Sequence, residues 1–204
     1  DNGSRLDNQG GSNGELRGKK GTTWEGGQRV PCIMRWPGKI PAGEVRNELV
    51  SSIDFFGTIA GLTNAELPQD RTTDSNDISS LMFATEPTES PRSEFFYYDG
   101  NTLEGVRDGK WKLHVRKVDE EINELYDLGS DKGETTNVFD SHPDVVARLT
   151  GLIEECRIDL GDKVNGIEGN DVRPSGRVAN PDTLTHYDPE HPYIYAEYDK
   201  AERG

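Results

Sequence analysis

The stretch LEGVRDGKWKLHV, residues 103–115, decides the fold of the carboxy-terminal half of this chain. Two short runs, Leu103–Arg107 and Lys110–Val115, flank Asp108-Gly109. Asp-Gly supplies the backbone conformation that a two-residue turn needs, so the stretch is predicted to form a β-hairpin. Working outward, Phe95–Tyr98 and Glu124–Leu128 (ELYDL) add two further strands. A helix is predicted from about His142 to Leu160, with Ser141 as its cap, Pro143 in its first turn and Gly161 as its stop. Val145, Val146, Leu149, Leu152, Ile153, Cys156 and Leu160 recur on one face of that helix. Residues 95–160 therefore read as a small antiparallel sheet with one covering helix.

The flanks are less regular. Residues 1–15, DNGSRLDNQGGSNGE, read as a loop rich in Gly, Asn and Ser. Val30–Trp36 (VPCIMRW) reads as a mostly buried strand with Pro31 at its start. Ser51–Leu62 reads as a helix: Ser51 and Asp54 have capping-box spacing, and Phe55, Phe56, Ile59 and Leu62 share a face. Residues 64–94 read as loop. Residues 161–204 read as an extended tail that wraps over a larger body, anchored by Tyr187, Tyr193, Tyr195 and Tyr198.

Composition limits the function classes. Only 31% of the 204 residues are hydrophobic, and the mean hydropathy is -0.81. That is low for a self-sufficient domain, so part of the core is expected to come from elsewhere. The net charge is -15, unevenly placed: residues 1–50 hold eight Lys/Arg against six Asp/Glu, and the remainder fifteen against thirty-two. So acidic a body argues against nucleic acid and anionic membrane as partners. No apolar run is long enough to span a membrane, and no signal peptide is read within these 204 residues. The chain opens on Asp1-Asn2-Gly3 without an initiator Met, and is expected to be part of a longer protein. Cys32 and Cys156 match no zinc or redox spacing and are expected to be two buried free thiols.

Two elements carry chemistry. Asp1-Asn2 pairs a carboxylate with a carboxamide, hard oxygen ligands suited to Ca²⁺, or less well to Mg²⁺, rather than zinc. Leu16–Gly27, LRGKKGTTWEGG, sets two lysines between glycines, followed by two hydroxyls, a Glu and paired glycines. Glycines let backbone approach a ligand, and lysine offers a compact charge to an oxyanion. The order is not that of a phosphate-binding P-loop.

Gly18–Gly43, GKKGTTWEGGQRVPCIMRWPGKIPAG, resembles the signature of formylglycine-dependent, arylsulfatase-like sulfatases: G-K-G-T-x-[WY]-E-G-G-x-R-x-P, then an apolar strand ending W-P-G. The resemblance continues in order through Leu49–Gly61, Val106–Leu113 (VRDGKWKL) and Leu125–Val138 (LYDLGSDKGETTNV). It implies the carboxy-terminal portion of an alkaline phosphatase-like α/β fold over residues 1–94, with the antiparallel sheet and helix of 95–160 as a subdomain. It also implies sulfate ester hydrolysis by a formylglycine nucleophile, with a divalent cation, usually Ca²⁺, holding nucleophile and sulfate. Asp1 and Asn2 match two of the cation's ligands. Lys20 matches the sulfate-binding, catalytic lysine; Lys19 replaces a small residue. The implied partners are a sulfated small molecule or carbohydrate and the missing amino-terminal half, in the periplasm or outside the cell.

The chain also departs from the pattern. It contains no C/S-x-P/A-x-R motif, the source of formylglycine; Cys32 is followed by Ile-Met-Arg. Ser4 stands where many relatives have Pro. Glu25 and Arg29 are expected to form an ion pair behind the loop, and His114, His186 and His191 to be ordinary histidines. Two alternatives remain open: an inactive or binding-only fragment, or a phosphodiesterase or phosphonate hydrolase of the same superfamily.

Overall fold

The predicted hairpin lies at the centre of a four-stranded antiparallel meander. Strands β1 (Glu94–Asp99), β2 (Thr102–Asp108), β3 (Trp111–Lys117) and β4 (Glu120–Asp127) lie side by side in chain order. The structure is a computed structural model and describes residues 3–5, 10–174, 176–177 and 179. Every connection in the meander is two residues long: Gly100-Asn101, Gly109-Lys110 and Val118-Asp119. Gly100 and Gly109 each turn with φ +56°, as such turns require.

Val118 does the same work at φ +52°, where a β-branched side chain is strained. Such strain costs about 1–3 kcal/mol, and the side chain is 69% exposed, so little burial offsets it. Val118→Asn is expected to raise the melting temperature by about 2–4 °C. An unchanged value in a thermal scan would show that the turn stores no strain.

One face of the sheet holds the core. Tyr98 pairs with Leu103 and Tyr97 with Gly105, which leaves Glu104 as the extra residue of a β-bulge. The bulge lets Leu103 and Val106, three apart, point to the same side. With Leu113 and Leu125 they pack on Leu149, Ile153 and Cys156 of helix α4 (Pro143–Leu160). The helix face is the one expected. Ser141 does not cap it: it belongs to a 3₁₀ turn, Phe139–Ser141, and its N–H bonds to the Val138 carbonyl. Gly161 ends the helix at φ +82°.

Three short helices precede the sheet: α1 (Glu25–Gln28), α2 (Asp54–Thr63) and α3 (Ser79–Phe83). The last lies in a stretch expected to be loop. Val30–Trp36 is not a strand, because a strand needs a neighbour for its N–H and C=O groups and none of the described residues pairs with it. Ile33 is 93% exposed, and Cys32 is exposed rather than buried. Helix α2 also faces the other way from expectation. Phe55, Phe56 and Ile59 are exposed, while Asp54, Gly57, Thr58 and Ala60 are buried. The reason is polar. Asp54 holds Arg92 and the Ser51 and Asn76 N–H groups, and the Thr58 hydroxyl accepts from the Ile78 N–H. These bonds fix the polar side inward and leave the apolar side without a cover among the described residues. No described helix is long and apolar enough to cross a membrane. The four tail tyrosines lie outside the described residues.

Candidate functional site

Glycines shape the loop of residues 16–27. Gly18 and Gly21 have φ near +83° and +84°. A Cβ at Gly27 would come within 2.1 Å of the Thr22 carbonyl oxygen, so α1 can press into the loop only without side chains. The Thr22 N–H and hydroxyl both bond to the Lys19 carbonyl, at 3.0 and 2.8 Å. This tight turn leaves Lys19 and Lys20 exposed at the apex.

The segment after Asp1-Asn2 is tied to both ends of that loop. The Lys20 N–H donates to the Ser4 carbonyl at 3.0 Å, and the Gly3 N–H to the Gly27 carbonyl at 3.3 Å. The Ser4 N–H bonds to Asn13 Oδ1 at 2.7 Å, and Asn13 Nδ2 bonds to the Gly18 carbonyl at 2.9 Å. A proline at position 4 would have no N–H for Asn13, so Ser4 is a local structural choice. Asp1 and Asn2 themselves lie outside the described residues. Among the described residues, no cluster of three or more His, Cys, Asp or Glu is placed to hold a metal ion.

Beneath the apex, Thr23, Trp24 and Glu25 cover the second face of the sheet. Lys112 Nζ, fully buried, donates to the Thr23 carbonyl, Glu25 Oε1 and Glu134 Oε1, each at 2.9 Å. Glu25 Oε1 also accepts from the Tyr97 hydroxyl at 2.9 Å, and Arg107 stands 3.5 Å from Oε2. Glu134 Oε2 accepts from the Glu25 N–H at 2.7 Å. The expected Arg29–Glu25 pair exists at 3.8 Å, but it is the outermost member of this network. The Trp24 ring packs tilted against His114 at 4.4 Å between ring centres, with the Arg17 guanidinium 3.6 Å and the Lys117 ammonium 4.1 Å from its own centre. Thr23, Glu104 and Lys117 form a second polar contact beside it.

Burial sets the protonation states here. It pushes the Tyr97 hydroxyl well above its ordinary pKa, with Glu25 adding to the effect. It pushes Lys117 down to about 8, partly offset by Glu104. It also pushes His114 well below 6.5, helped by the Lys112 and Lys117 charges. A neutral His114 donates through Nε2 to Glu134 Oε1 at 2.9 Å, which makes it a structural histidine as expected. His186 and His191 lie outside the described residues. Below about pH 6.5 the unfolded chain takes up a proton that folded His114 refuses. The stability this provides is complete above that pH and is lost as pH falls toward the lower folded value. The urea midpoint is therefore expected to drop between pH 7.5 and 5.5, and to drop less in His114→Gln. Equal drops would remove His114 from the account.

The chain matches the family described as N-sulphoglucosamine sulphohydrolase, C-terminal, over residues 18–159. It belongs to the sulfatases. The mouse N-acetylgalactosamine-6-sulfatase is 34% identical over 195 residues, covering 78% of this sulfatase chain and 37% of its own length. The dog enzyme of the same name is 44% identical over 117 residues, 56% of this chain and 22% of its own. An arylsulfatase of Hemicentrotus pulcherrimus is 44% identical over 108 residues, 53% of this chain and 19% of its own. The sulfatase chain thus spans well under half the length of these relatives. Among solved structures, the PsFucS1 sulfatase from Pseudoalteromonas sp. superposes with a TM-score of 0.67 at 26% identity, covering 76% of this chain and 34% of that one.

The buried network joins three motifs that the sequence presents separately. Glu25 comes from W-E-G-G, Lys112 from D-G-K-W-K-L and Glu134 from the segment after L-Y-D-L. W-E-G-G offers a single charged residue, but the other two motifs offer three each, and the sequence does not say which of them meet.

Proposed function

We propose that this chain furnishes the sulfate-facing part of a sulfatase active site, with Lys20 as the substrate-binding and catalytic cation. The observation that carries the reading is the loop itself: a glycine-shaped turn presents Lys20 to solvent and bonds its backbone to Ser4, two residues beyond Asn2. Asp1 and Asn2 are proposed to hold the divalent cation, because a carboxylate beside a carboxamide offers the oxygens that Ca²⁺ prefers, Mg²⁺ fitting less well. The bound cation would act as a Lewis acid toward the sulfate oxygens. The nucleophile is proposed to be a formylglycine encoded outside these 204 residues, which contain no C/S-x-P/A-x-R motif.

Lys20 then has a defined task. Cleavage of a sulfate ester moves negative charge onto the leaving oxygen. An ammonium held nearby stabilises that charge more in the transition state than in the bound ester. A sulfated carbohydrate or aryl ester is the proposed substrate, and the periplasm or the cell exterior the proposed place of action. The upstream half of the protein is the proposed partner.

The test is a chromogenic aryl sulfate. The 204-residue chain alone is expected to give no turnover, and the protein extended upstream to include a formylglycine motif is expected to hydrolyse it. Turnover by the chain alone would overturn the placement of the nucleophile. An extended protein that cleaves aryl phosphonate but no sulfate would favour a phosphonate hydrolase.

A further inference from the structure

The loop that bears Lys20 sets its own turn, but its place against the sheet depends on contacts outside it. Its apex is exposed, and its carboxy-terminal end rests on polar groups that share one buried cluster. Lys112 lies between two carboxylates that are as buried as itself, and these two belong to segments 109 residues apart in sequence. The Thr23 carbonyl, three residues from Lys20, bonds to the same ammonium. Lys112 and Glu134 both belong to the sheet subdomain, and the contacts of Thr23 and Glu25 with them cross from the loop to it.

We propose that Glu25, Lys112 and Glu134 are positioning residues for Lys20: the buried triad clamps the loop to the sheet and so sets where the lysine stands. The proposal rests on the reading of Lys20 as the sulfate-binding residue, and it deepens that reading. It assigns to β3 a share in catalysis that acts through Lys20. The physical argument is that a buried charge pair is sensitive to its partners. Removing one leaves the other uncompensated in a dry site, and the inexpensive way out is to open the contact to water. The part that can open is the loop, none of whose residues belongs to the apolar core cluster. The sheet and α4 keep their own apolar core on the far side.

Two variants and two readouts test this. Lys112→Met keeps the side-chain length and removes the charge that lies between the two carboxylates. Glu134→Gln keeps the shape and removes one charge. In the 204-residue chain, hydrogen exchange of the residue 18–28 amides is expected to quicken about 10²-fold in either variant, while the Leu149–Cys156 amides of α4 keep wild-type rates. In the upstream-extended sulfatase, kcat for an aryl sulfate is expected to fall about 10–10²-fold with KM little changed, as a small misplacement of a catalytic group does.

Wild-type exchange in the loop of both variants would overturn the clamp. Should Lys112→Met unfold altogether, Glu134→Gln decides by the same measurements. Fast loop exchange with undiminished kcat would overturn the positioning role, and a loss of kcat in Lys20→Ala beside it would show that the assignment of Lys20 stands.

Discussion

Lys20→Ala is expected to lower kcat of the upstream-extended sulfatase about 10²–10³-fold, the usual cost of losing one transition-state electrostatic contact. The loss should fall on kcat more than on KM, because charge on the leaving oxygen grows as the ester bond breaks. The fold should survive. The turn is set by Gly18, Gly21 and the two bonds of Thr22 to the Lys19 carbonyl, none of which uses a lysine side chain. Lys19→Ala should do far less, since Lys20, directly before Gly21-Thr22, is the proposed sulfate ligand. Both variants compared at saturating aryl sulfate decide the matter. A crippled Lys19→Ala beside a near-wild-type Lys20→Ala would reverse the assignment, and two near-wild-type variants would remove the loop from sulfate binding.

The largest expected loss of stability lies far from that loop. Arg92 Nη2 stands 2.5 Å from Asp54 Oδ1 and Nε 2.8 Å from Oδ2, a two-pronged pair on a fully buried carboxylate. Burial pushes the Asp54 carboxyl up, but Arg92 and the Asn76 and Ser51 N–H groups outweigh it and hold the pKa below 3.8. The stability from this shift is present above that pH and lost as pH falls through the folded value. Arg92→Ala leaves the carboxylate buried without its cation, and is expected to cost about 3–5 kcal/mol in urea unfolding at pH 7. The deficit should shrink on acidification, because protonating Asp54 removes the uncompensated charge. A loss below about 1 kcal/mol would show that water or a neighbouring group replaces the arginine.

How much of this could be read from sequence depends on the range of the forces involved. The 103–115 hairpin and α4 rest on local signals: Gly109, which places the turn at Gly109-Lys110, one residue past the expected Asp108-Gly109, then Pro143, Gly161 and the recurrence of Leu149, Ile153 and Cys156. Each acts within a few residues, so each was legible. Val30–Trp36 shows the limit. Its composition suits a strand, but pairing is a property of two segments, and no described partner exists. Helix α2 was found and its facing was not, because Asp54 and Thr58 are bound to groups around residues 76–78 and 92 that periodicity cannot see. At the site, alternation places Lys112 and His114 on one face of β3, yet says nothing of what covers that face. Only contact with Glu25 and Glu134 explains how a lysine comes to be fully buried there.

The meander has a consequence for the order of folding. Its strands close through two-residue turns, and α4 follows within about twenty residues, so the sheet and its apolar core can form from near neighbours. The loop must be captured across 87 residues for Glu25–Lys112 and 117 for Arg17–Glu134. Closing such spans before contacts repay the lost chain entropy is slow. The sheet is therefore expected to be in place before the loop arrives, so that Lys20 is among the last residues to reach its position during folding and among the first to leave it during unfolding.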